Sequence, residues 1–69
     1  MVEVFKTNVK RRQQAAELLS ALSHQFPAHC INFDLDDGDK ILRIEGDNIC
    51  TDTIIGLLSL QGYKCEILI

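Results

Sequence analysis

The sequence predicts a small α+β domain of element order β-α-β-β-α-β, the ferredoxin-like split βαβ arrangement. Three observations carry this reading. Apolar residues alternate at period two in four short stretches and recur at helical spacing in two longer ones. An Asp-Gly pair joins the second and third stretches in the manner of a hairpin. Pro27 and Gly62 close the two helical stretches. Right-handed crossovers then give a four-stranded antiparallel sheet of order 4-1-3-2 with both helices on one face. At 69 residues the chain makes one domain, 1–69, with a thin core.

Each element has its own grounds. Val2-Glu3-Val4-Phe5-Lys6 is β-prone, with Val2 and Val4 on one face and Glu3 and Phe5 on the other. Phe5 is expected on the open, outward face. From about Val9 to Phe26, residues Ala15, Leu18, Leu19, Leu22 and Phe26 form an amphipathic helical stripe, and Pro27 ends it. Ile31, Phe33 and Leu35 alternate inward, with Asn32 and Asp34 outward. Asp36-Asp37-Gly38-Asp39 turns the chain, Gly38 supplying a positive φ. Leu42 and Ile44 point inward in the next strand. The second helix starts between Asn48 and Asp52, capped by Asn48 or Thr51. Ile54, Ile55, Leu57, Leu58 and Leu60 make its apolar face, and Gly56 is expected to permit close packing. Gly62 caps its C-terminus. Lys64 to Ile69 alternates as the last strand.

Composition narrows the function classes. A hydrophobic share of 46% supports a globular core and argues against disorder. The net charge of −3 argues against a generic nucleic-acid binder. No apolar run approaches the ~20 residues that span a bilayer, and no signal peptide is visible. The three cysteines, Cys30, Cys50 and Cys65, lack CxxC spacing and read as structural thiols of a reducing, cytoplasmic compartment.

The charges are unevenly spread. Four of the seven cations lie between Lys6 and Arg12, while Asp34, Asp36, Asp37 and Asp39 crowd one short stretch. Lys10, Arg11 and Arg12 stand where the first helix begins, the end that favours carboxylates or bound anions. The topology puts them at one pole with the aspartate hairpin and with Gly62-Tyr63-Lys64. Lys10, Arg11, Arg12, Tyr63 and Lys64 are therefore the expected site for an anion or an acidic protein partner. The neighbouring aspartates and the absence of stacking aromatics speak against nucleic acid.

Thr7 at the end of the first strand, the Leu18/Leu22 stripe, and Leu57-Leu58-Ser59-Leu60-Gln61-Gly62-Tyr63 closing the second helix carry a resemblance. With this element order, the chain resembles the heavy-metal-associated domain of copper chaperones and metal-transporting ATPases, from the first strand through Ile69. The resemblance implies an M-x-C-x-x-C metal loop after strand one. Here its methionine position falls on Phe5 or Lys6, and its cysteine positions fall near Asn8 and Arg11. Soft metal ions need sulfur ligands, so the resemblance implies a degenerate member without metal transport and without a cofactor. Relatives often dock through this same pole.

Other readings stay open. His24, His29, Cys30 and Cys50 would share the opposite pole as a residual metal cluster, though none has the usual ligand spacing. Phe5, Ile41 and Leu68 would form an apolar strip on the open sheet face, a surface for a homodimer, and the last strand offers an edge for the same purpose. No catalytic constellation appears and a pocket of several hundred Å³ is not expected, so the chain reads as non-enzymatic. A small regulatory ligand-binding domain shares the element order and is a further alternative.

Overall fold

The computed structural model describes residues 1–68; Ile69, the end of the expected last strand, lies outside them. Six elements follow in the expected order: β1 (Val2–Thr7), α1 (Arg12–Gln25), β2 (Cys30–Asp34), β3 (Ile41–Glu45), α2 (Thr51–Leu60) and β4 (Cys65–Ile67). The sheet runs β2-β3-β1-β4, every neighbouring pair antiparallel. This is the expected order counted from the opposite edge.

The core joins both helices to one face of the sheet. Ala15, Leu18 and Leu22 of α1 and Ile54 and Leu58 of α2 share a buried cluster with Phe5, Leu42 and Ile44. Val9, in the loop before α1, is fully buried in it.

Phe5 overturns one expectation. It lies opposite Leu42 in the ladder and is completely buried, so it belongs to the helix-facing side. Alternation then sends Val2, Val4 and Lys6 to the open face. Burying an aromatic ring removes more apolar area from water than burying two valines that stay partly covered on the other face. The open-face apolar residues are thus Val2, Val4, Ile41 and Leu68. Ile41 is buried there, flanked across the strands by Lys6 and Asp34.

Four further local differences have physical causes. Gly38 does not provide the left-handed residue of the β2–β3 connection; Lys40 does, at φ 50°. Its ammonium donates to the Leu35 carbonyl at 2.9 Å, and Asp37 accepts from the Asp39 N–H at 2.8 Å, so side chains stabilise the turn. The N-cap of α2 is Cys50, while Asn48 takes a left-handed φ of 54° just before it. Gly56 faces open space with nothing within 4 Å of an added Cβ, so it serves no close approach. Leu60 is 84% exposed, because the helix turns it away from the sheet. Gly62, at φ +90°, follows the C-cap Gln61. The Tyr63 N–H reaches the Leu58 carbonyl and the Gly62 N–H reaches Ser59, a Schellman closure.

Candidate functional site

The basic pole is assembled by two short polar residues. Thr7, buried at the end of β1, donates its hydroxyl to the Lys40 carbonyl at 2.6 Å. The same oxygen accepts the Val9 N–H at 3.2 Å. One side chain thereby ties the acidic hairpin to the loop before α1. Asn8 makes the second tie. Its side-chain oxygen accepts the Lys64 N–H at 2.8 Å, and its own N–H donates to the Lys64 carbonyl at 3.3 Å. Loop 8–11 and residues 63–64 therefore lie side by side, and Lys10, Arg11, Arg12, Tyr63 and Lys64 occupy one pole as expected.

The start of α1 is capped from one side only. Arg11 is the N-cap and has no acceptor to offer the helix. Gln14, three residues on, reaches back instead. Its carbonyl oxygen accepts from Arg11 N at 3.2 Å and from Lys10 N at 3.4 Å. This is the return half of a capping box without its forward half. Among the described residues, no side chain accepts from the N–H groups of Arg12, Gln13 or Gln14. They lie at the positive end of the helix dipole.

The cations beside them are also uncommitted. Among the described residues the only ion pair joins Lys6 to Asp39 at 3.9 Å, both side chains about half exposed. Lys10, Arg11, Arg12 and Lys64 are exposed and form none. The aspartate hairpin thus pairs with Lys6, which lies on the strand rather than in the basic loop.

Tyr63 is half-buried against the core and fixed by its N–H bond to Leu58. With Lys64, Thr7, Asn8, Ser59 and Cys65 it lines an open groove of about 460 Å³ between α2 and the β1–β4 edge. Space of several hundred Å³ does exist on this small chain, as grooves rather than an enclosed pocket. Burial, reinforced by the neighbouring Glu66 carboxylate, pushes the Cys65 thiol up to about 11.

The alternative metal cluster does not assemble. Among the described residues, no three of His, Cys, Asp and Glu stand close enough to hold an ion. Cys30 and Cys50 are exposed, which does not fit the expected structural thiols. The Cys50 thiol bonds to the Thr53 hydroxyl at 2.9 Å, which lowers its pKa together with the Thr53 backbone N–H. His29 instead stacks on Phe26, ring centroids 5.5 Å apart and nearly parallel, and its ring also lies close against Gly46. Its Nδ1 is buried without a partner. His24 lies in the last turn of α1, a position that suits a helix C-terminus.

Sequence reasoning passed over Thr7, Asn8 and Gln14 as organisers of the pole. Gln14 had a signal, the three-residue spacing from the N-cap. The ties made by Thr7 and Asn8 run over 33 and 56 residues, and nothing local announces them. Among the described residues, no helix is long and apolar enough to cross a membrane. Compared with known proteins, the chain matches no family model, no curated protein and no solved structure.

Proposed function

We propose that this domain is a non-enzymatic docking module whose basic pole binds an anion or an acidic protein partner. The observation that carries the reading is the convergence at the α1 start of exposed, unpaired cations and free helix N–H groups. Both attract negative charge from the same direction. Natural helix starts place Asp, Glu, Ser or Thr there; a run of three cations makes sense when the negative charge arrives from outside. Lys10, Arg11 and Arg12 supply the attraction, and Tyr63 and Lys64 form the facing wall.

The ferredoxin-like arrangement and the resemblance to metal chaperones fit this reading. On that resemblance Asn8 and Arg11 stand near the positions where thiolates would hold a soft cation. An amide committed to a backbone bond and a guanidinium cannot replace them. The loop has then exchanged cation binding for anion binding on an unchanged scaffold, and the pole remains the docking end.

Titration of ¹⁵N-labelled protein with inorganic phosphate and with an oligoglutamate peptide tests this. Shifts should concentrate on the amides of Arg12, Gln13 and Gln14 and disappear in Arg11→Glu/Arg12→Glu. Shifts that are absent, or that survive charge reversal, would refute the reading.

A further inference from the structure

A second groove starts at Arg12 and runs between α1 and the free edge of β2, with a volume of about 370 Å³. The ladder shows which backbone groups face it. Leu68 N donates to Val4 O and Gly46 N to Met1 O, both at 2.9 Å. Even-numbered β1 residues therefore bond to β4 and odd-numbered ones to β3. Carried through the register, Asp34, Asn32 and Cys30 bond to β3. The N–H and C=O groups of Ile31 and Phe33 then point outward along the edge. The Lys40 ammonium on the Leu35 carbonyl closes the row at the hairpin end.

The opposite wall is the α1 face formed by Arg12, Ala15, Ala16 and Leu19. Alanine at two adjacent positions leaves room beside the strand. Buried side chains cannot close the gap, because Ala15 is already in the core and Ala16 is exposed. Arg12 on this wall and Asp34 and Asp36 on the strand wall line the same groove, yet they form no ion pair with each other. Their charges remain available to an occupant.

We infer that this groove docks an extended segment of a partner protein by strand addition to β2. The charges define the segment's chemistry. Its residues facing α1 are apolar over Ala15, Ala16 and Leu19 and end in a carboxylate at Arg12. Its alternate residues, on the side of Asn32 and Asp34, are basic. Main-chain bonds to Ile31 and Phe33 give affinity, and the two charged walls give direction and register. This surface goes beyond the basic pole and overlaps it at Arg12 and at Asp36 of the hairpin.

The probe is the peptide acetyl-Lys-Val-Lys-Ile-Thr-Glu-amide added to the full chain, read by amide hydrogen exchange. Exchange at Ile31 and Phe33 should slow, while Cys65 and Ile67 on the other edge stay unchanged. Ala16→Tyr fills the groove from an exposed helical position and should abolish the protection. Changing the peptide's Glu to Lys should weaken binding about fivefold, the scale of an exposed charge pair. Arg11→Glu should leave peptide protection intact while removing phosphate binding at the pole, which separates the two surfaces. Three outcomes would overturn the inference: no protection by the peptide, protection that persists in Ala16→Tyr, or protection that rises with protein concentration alone, which would mean a second copy occupies the edge.

Discussion

Thr7 is the residue on which the pole depends most. Its hydroxyl donates to one segment and accepts from another in a buried place, so an isosteric methyl cannot serve. Thr7→Val leaves the Val9 N–H and the Lys40 carbonyl without that partner and should cost about 2 kcal/mol in urea unfolding. Thr7→Ser, which keeps the oxygen, should cost much less. Cys65 makes a pH prediction. Its thiol sits at about 11 in the fold against an ordinary 9.0, because burial disfavours the thiolate. The protonated thiol is the form the fold accepts, so its contribution is complete below pH 9.0 and is lost as pH rises toward about 11. Thermal melting should fall more steeply across that window in the native chain than in Cys65→Ala. Equal slopes would show that the thiol is not held by its surroundings.

At the scale of elements, the two helices show how far local pattern reaches. The 3- and 4-residue spacing located both helices and their buried residues, because packing an apolar stripe is what stabilises a short helix, but it also counted Leu60, which is exposed. Their ends were less legible. α1 begins at Arg12, not Val9, since Val9 is drawn into the core and the chain must turn before the helix starts. Strand facing is the clearest miss. A period-two pattern says that Phe5 and Val4 point opposite ways, and only the ladder with Leu42 says which is inside. Gly56 offers a direct check on α2. With open space at its Cβ and no positive φ, Gly56→Ala should stabilise the domain by about 0.7 kcal/mol. A loss of stability would mean the glycine has a packing role. Gly62→Ala should do the opposite, because φ +90° strains any side chain in the Schellman turn.

At the scale of the molecule, the two poles divide the chemistry. One gathers the basic loop, the acidic hairpin and the α2 closure through the Thr7 and Asn8 ties. The other gathers the chain start, His29 and the exposed Cys30 and Cys50, with no metal-holding group among the described residues. The site could be read as a charge pattern in the sequence, whereas its rigidity rests on long-range backbone bonds that the pattern does not contain. Salt should separate fold from function. With one exposed ion pair at 3.9 Å among the described residues, stability should hardly change with ionic strength, whereas anion binding at the pole should weaken sharply. On the proposed function, the start of α1 forgoes a good cap in order to hold an anion. Arg11→Asp supplies that cap, so it should gain about 1 kcal/mol, or roughly 4–8 °C in melting temperature. The deciding measurement is phosphate affinity in this same variant. Arg11→Asp should be more stable and no longer bind phosphate; undiminished phosphate binding in the stabilised variant would rule out an anion site at the start of α1.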